Sequence, residues 1–255
     1  MDWVTGNYST HYVADIPENT ISADYFGQID IQLKVKLKAD NNFIGIMSNG
    51  TSGDVNTFDF RQEKNYPSAS FEKSKFIADD ITDSIILSLQ KVIWNSKPVF
   101  KTATAEAPIA TRKPAPLLLE KSTALVKTTN YNDLNTTDKA SDAMARLYAM
   151  EIVKLNHYQP DKINLPIQAI HIGDGTIGTL PGEFFSETGL KLKKQAPGKY
   201  YFSISLANAM VGYVPPAAQF ALGGYETWLC SGSHAEEKAE EKISAALLKL
   251  IRLVQ

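Results

Sequence analysis

The sequence is nearly free of cysteine. Its single thiol, Cys230, excludes an internal disulfide and leaves no CxxC pair. A lone cysteine is more often a small packed hydrophobe than a nucleophile. There is no excess of charge either: 26 basic side chains face 28 acidic ones, for a net charge of −2. Such a balance gives no general reason to expect nucleic acid or an anionic membrane as partner. No apolar run reaches the roughly 18 residues of a transmembrane segment. The opening "MDWVTGNYST" lacks the basic and apolar regions of a secretory signal. Internal repeats and low-complexity linkers are absent, and none of the four histidines sits in an HExxH element. What is present is ordinary for a globular protein, with 44% hydrophobic and 21% charged residues over 255 positions. That length allows one large domain or two small ones, with a substantial core.

The periodicity of the chain mixes strands and helices. Residues 2–14 read as one buried strand rich in Val, Thr and Tyr. In "ISADYFGQIDIQLKVKLKAD", Ile29, Ile31, Leu33, Val35 and Leu37 alternate as in a strand, while Phe26, Ile29, Leu33 and Leu37 mark a helical face. The length of that segment and an N-cap at Ser22 favour the helix. Residues 43–47 form a short apolar strand that delivers the polar, glycine-rich loop "NGTSGDVNTFDF". "FIADDITDSIILSLQKVIWN" predicts a helix. Residues 96–136 read as strands or a surface excursion, since Pro114 and Pro116 argue against a helix there. "TTDKASDAMARLYAMEIVKLNHY" predicts an amphipathic helix capped by Thr136 or Thr137. "LPIQAIHIGDGTIGTLPGEFF" predicts two strands joined at "GDG", then a helix from about Phe184. "KYYFSISLANAMVGYV" predicts a further strand, and the chain closes in a helix with Ser233 as cap. The expected architecture is one α/β domain over residues 1–255, a mixed β-sheet core flanked by helices.

Singly, the candidate functional residues have bland readings. His157 ends a helix, where a cation suits the dipole, His171 lies in a strand, and His234 sits near a helix start. His11 has a polar-aromatic setting, between Tyr8, Ser9, Thr10 and Tyr12. Glu183 in "LPGEFF" stands at the carboxyl end of a strand, where α/β sites usually lie, or is a dipole-favoured helix N-terminal acid. Tyr213 and Tyr225, twelve residues apart, are site residues or amphipathic plugs. Phe184, Phe185, Phe220 and Trp228 line an apolar groove or belong to the core.

Taken in order, "GNYSTHYVAD", "SNGTSGDVN", "LPGEFFSETG" and "LANAMVGYVPP…GGYE" resemble the catalytic domain of the neutral/alkaline ceramidase family. The resemblance implies that His11, Glu183 and Tyr213 are zinc ligands. Tyr225 and Asn56 would face the substrate amide, with Gly53, Asp54 and Thr57 forming a substrate-binding turn. The implied cofactor is Zn²⁺, activating a water for attack on a lipid amide, and the family is usually secreted or extracytoplasmic. Two departures stand beside this. The family's upstream H-x-H element has no counterpart here, nor has its C-terminal immunoglobulin-like domain, so the chain is expected to be the later part of such a catalytic domain. In the family's "GDVSPN" loop a serine is the central residue; here "GDVN" puts Asn56 in that place, with Ser52 and Thr57 as neighbouring hydroxyls that lack an evident base. An asparagine amide can donate to a carbonyl but cannot act as nucleophile. A non-catalytic ceramidase-like scaffold, or a truncated fragment, is the alternative expectation.

Overall fold

The computed structural model describes residues 2–61, 66–130, 141–158 and 160–255. The strand β1 (Trp3–Tyr8) leads through α1 (Asp24–Leu37) into β2 (Ile44–Asn49), and α2 (Glu72–Leu89) follows. Next come β3 (Phe100–Ala110), the helices α3 (Pro116–Thr128) and α4 (Ser141–Tyr158), then β4 (Lys162–Ile172) and β5 (Gly175–Leu180). Two-residue β6 (Glu183–Phe184) precedes α5 (Ser186–Gln195), β7 (Tyr200–Ser205) and the equally short β8 (Tyr213–Val214). One turn of helix, α6 (Ala217–Phe220), a 3₁₀ turn at Tyr225–Thr227 and α7 (Ala239–Val254) complete the chain.

Two parallel crossovers build the architecture: β1 pairs with β2 across α1, and β5 pairs with β7 across α5. Antiparallel β3 and β4 extend the second sheet in the order β3-β4-β5-β7. Against it α7 lays Ile243, Leu247 and Ile251, closing a core with Ile109, Ile167, Leu180 and Phe184. A separate, smaller core joins α1 and α2 to the first sheet through Tyr25, Ile29, Leu33, Phe43, Ala78 and Ile81. The carboxyl ends of the strands meet: Asn7 Nδ2, on β1, donates to the Ser203 carbonyl of β7 at 3.0 Å. The mixed α/β architecture is the one the periodicity implies, and the α1 segment is a helix.

Several local expectations are corrected. The first strand stops at Tyr8 rather than at residue 14, because β2 turns away where the Gly50 N–H donates to the Tyr8 carbonyl. His11 therefore lies in a loop. Ser22 is not the residue that precedes α1; its Oγ accepts the Asp24 N–H, and the Asp24 carboxylate takes the N–H groups of Val13, Ala14 and Tyr25. Proline does not prevent α3, because Pro116 occupies its first turn, where no helical N–H is needed. Glu183 does not open a helix but pairs in β6, and α5 starts at Ser186. Ser233 caps nothing: its backbone closes a turn with Cys230, and α7 begins at Ala239. The candidate caps Thr136 and Thr137 fall outside the described residues.

Candidate functional site

The site forms where three loops leave the carboxyl ends of β1, β2 and β5. After Leu180 the chain passes Pro181-Gly182 and pairs Glu183 with Tyr213, the Glu183 N–H donating to the Gly212 carbonyl at 2.8 Å. Gly212 has φ +75, and a Cβ there would overlap the Gly232 carbonyl, so this register requires glycine. The loop after β2 docks on the same element, where the Gly53 N–H donates to the Phe184 carbonyl at 2.8 Å. A Cβ on Gly53 would lie 2.7 Å from the Glu183 carbonyl oxygen. The glycine-rich loop thus exists in part to bring two backbones into contact.

That docking fixes Val55, whose carbonyl accepts both the His11 backbone N–H at 3.1 Å and the His11 Nδ1–H at 3.0 Å. With Nδ1 committed to a carbonyl, which can only accept, Nε2 is the nitrogen turned toward the other candidates. It lies 3.3 Å from Glu183 Oε2 and 3.4 Å from the Tyr213 hydroxyl. The Tyr213 hydroxyl is also 2.8 Å from that of Tyr225, whose ring stands edge-on to it at 5.3 Å. His11, Glu183, Tyr213 and Tyr225 therefore converge.

Electrostatics follows from this packing. The hydrogen bond to Glu183 holds the His11 pKa above its usual range, against an opposing cost of burial. Burial, then the Tyr225 hydroxyl and the Glu183 charge, hold the Tyr213 phenol far above the usual range. Ligand atoms about 2.0–2.1 Å from a tetrahedral zinc ion stand about 3.3 Å apart. The His11–Glu183 and His11–Tyr213 spacings match that edge, and the Val55 carbonyl orients the imidazole as outer partners of metal-bound histidines do. The donor set of imidazole, carboxylate and phenol thus fits a zinc ion. Among the described residues, no group of three or more His, Cys, Asp and Glu side chains gathers, so any such site depends on the phenol.

Beside the site runs a cleft of about 920 Å³, whose lining includes Thr10, Val55, Asn56, Thr57 and the rings of Phe58, Phe60, Tyr66 and Phe76. Asn56 is exposed, and its Oδ1 accepts the Thr57 N–H at 2.9 Å. Asp54 also borders the cleft, yet both its carboxylate oxygens serve Ser186 at the start of α5. Gly53 is buried. Thr57 Oγ1 accepts from the buried Lys73 ammonium at 3.2 Å, and that ammonium lies 3.3 Å from the centre of the Phe58 ring. Lys73 is a neighbour that sequence reasoning missed, because its sixteen-residue separation from Thr57 carries no pattern.

The other candidates disperse. His171 Nδ1 bonds Thr176 Oγ1 across the β4–β5 hairpin, and buried His234 keeps its Nδ1 without a partner, its pKa lowered by burial. Phe184 and Phe185 are core, while Phe220 lies under the Arg112 guanidinium and Trp228 stands edge-on to Tyr148. Arg112 is the second residue that sequence reasoning missed: its guanidinium donates to the carbonyls of Thr227, Ser233 and Ala235.

No protein-family model matches this sequence, and no curated protein matches it. Solved structures share the fold, among them two described as ceramidases. One is described as neutral ceramidase from Pseudomonas aeruginosa, at a TM-score of 0.66 and 14% identity, covering 98% of this chain and 44% of that one. The other is described as a ceramidase complexed with C2, at a TM-score of 0.64 and 14% identity, covering 98% of this chain and 45% of that one. The chain spans less than half the length of the structures it matches. Its fold is similar to that of these ceramidase structures over nearly its whole length.

Proposed function

We propose that this chain is a zinc-dependent amide hydrolase unit of ceramidase-like architecture, with His11, Glu183 and Tyr213 holding the ion. The observation that carries the reading is that His11 Nε2 lies 3.3 Å from Glu183 Oε2 and 3.4 Å from the Tyr213 hydroxyl, each about the length of a tetrahedron's edge around zinc. Bound zinc would acidify a coordinated water and polarise an amide carbonyl. The remaining work falls to side chains of this chain. Glu183 has a second carboxylate oxygen with which to accept a proton from the attacking water. Tyr225, half-exposed beside Tyr213, is placed to donate to the substrate carbonyl. Asn56 can add an amide N–H from the cleft wall, because among the described residues only its Oδ1 is engaged. The aromatic cleft next to the site suits the apolar body of a lipid amide, and the two similar structures, each described as a ceramidase, support an N-acyl bond as the target. As part of the same proposal, residues 1–255 act as a single domain.

A second reading rests on Asn56. With an amide in the serine's place and no hydroxyl there, the fold would bind such a lipid without cleaving it. Elemental analysis of chelator-stripped, zinc-reconstituted protein tests the first reading. About one zinc per chain is expected, lost in His11→Ala, with release of fatty acid from a short-chain N-acyl amino alcohol by the wild type. Zinc without release would favour the binding scaffold; absence of zinc from the folded wild type would refute the metal site.

A further inference from the structure

The segment between β8 and α7 carries Tyr225, yet its tip is thinly supported. Leu222 is 79% exposed, Gly223 and Gly224 have φ of +80 and +97, and a Cβ at Gly223 would meet nothing within 4 Å. Its far end is fastened to β3: Thr111 bridges Ala235, the Arg112 N–H donates to the His234 carbonyl, and the Glu236 N–H to that of Ala110. Between those limits Arg112 reaches both flanks of the tip. On one side its guanidinium lies 4.9 Å from the centre of the Phe220 ring. On the other, Nη1 donates at 2.8 Å to the carbonyl of Thr227, the last residue of the turn that begins at Tyr225. Nη2 and Nε continue along the same segment to Ser233 and Ala235 at 3.1 and 2.9 Å. All three side-chain hydrogen bonds end on backbone carbonyls, so the fork reads main-chain shape rather than charge. Lysine, a point donor on a flexible stem, cannot span three carbonyls in this way.

We infer that Arg112 is a positioning residue for the two-tyrosine arm: by clamping Phe220 and Thr227 it sets Tyr225, and through the Tyr225–Tyr213 hydroxyl contact it holds the Tyr213 phenol toward His11 and Glu183. The inference rests on the zinc reading of the site only in its consequence for the metal; the clamp itself does not. A second tether, the Ser231 hydroxyl on the Glu151 carboxylate, holds the segment further along, so removal of Arg112 frees the tip without detaching the whole loop.

The test uses the full chain as Arg112→Ala and Arg112→Lys, with two readouts. The first is zinc affinity, by competition with a chromogenic chelator; the second is the rate of limited proteolysis within residues 221–232. Arg112→Ala is expected to weaken zinc binding about tenfold, as loss of an outer partner typically does, and to expose the arm to cleavage. Millimolar ethylguanidinium, which can refill the vacated fork, should restore both, a recovery that a general loss of stability would not give. Arg112→Lys should stay impaired, and it decides the matter if the alanine variant does not fold. Wild-type affinity and protection in both variants would overturn the inference, as would impairment of folded Arg112→Ala that ethylguanidinium leaves unrelieved. If the wild type takes no zinc, the metal site fails on its own, and proteolysis with its rescue still tests the clamp.

Discussion

The core around α7 and the core under α1 and α2 differ both in size and in what they lend to the site. The larger one seats α7 on four strands and carries Glu183, Tyr213 and Tyr225 on strand pairs and a clamped loop. The smaller rests on a two-stranded sheet and contributes His11 and the Asn56 loop, neither of them within a strand. Ligand candidates from the larger half are thus fixed by their own element. His11 is fixed by the other half instead, through Val55 and the Gly53–Phe184 contact. A site assembled in this way depends on the seam between the halves more than on either core.

The sharpest way to break that comparison is at Gly53. A methyl group there meets the Glu183 carbonyl at 2.7 Å, and both partners are backbone that can yield only by separating the halves. Gly53→Ala is expected to cost about 2–3 kcal/mol in urea unfolding, the usual price of overpacking, and to release His11 from Glu183. Unchanged stability would mean that the seam is slack and that His11 is placed by something other than this contact.

Alkali separates the halves by a different route, because each buries a tyrosine. In the larger half burial raises the Tyr201 pKa to about 12, against a lowering hydrogen bond from Ser203; in the smaller, burial pushes Tyr25 up further still. A phenol whose folded pKa lies above its unfolded value of about 10 contributes stability that is complete below pH 10. That contribution is lost as the pH climbs through about 12. Tyr201→Phe should therefore remove a pH-dependent loss on the order of 2 kcal/mol between those limits, read from unfolding midpoints at pH 9 to about 12. Trp228 lies near the larger half, and Trp3 and Trp94 near the smaller, so single-tryptophan variants would show which half gives way first. An equal slope in wild type and Tyr201→Phe would place the alkaline weakness elsewhere.

The same contrast explains what the sequence disclosed. Alternation and helical faces sufficed for much of the sheet and for α7, whose apolar stripe Ile243, Leu247 and Ile251 enters the larger core. The α1 segment carries both periods, and its length favours the helix. The four motif patches sufficed to name His11, Glu183, Tyr213 and Tyr225, because each is written in a local run. The local pattern around His11 also misled, since its Val and Thr content is that of a strand, while pairing ends at Tyr8 for want of a partner. A partner's turning away is a tertiary event with no trace in the run itself. Arg112 and Lys73 were illegible for the same reason: the first bonds carbonyls 115 to 123 residues away, and a carbonyl exists at every position. Pro116 carries the opposite lesson, since proline forbids a helix interior but suits the first turn of α3.

The smallest expected effect is at Asn56, and it bears most directly on which of the two functional readings holds. Its side chain is exposed and, among the described residues, bonds only the neighbouring Thr57 N–H. Asn56→Ser should therefore change unfolding free energy by less than about 0.5 kcal/mol, as surface substitutions do, and leave zinc content as it was. Amide cleavage is another matter. If the hydroxyl is the missing group, the serine variant gains turnover of a short-chain N-acyl amino alcohol that the wild type lacks, and the natural chain is a binder. If turnover is present in the wild type and rises less than about threefold, an amide donor is enough at this place, and the attacking group comes from the His11–Glu183–Tyr213 cluster. A stability change well above about 0.5 kcal/mol would contradict the exposed, locally satisfied setting from which both readings start.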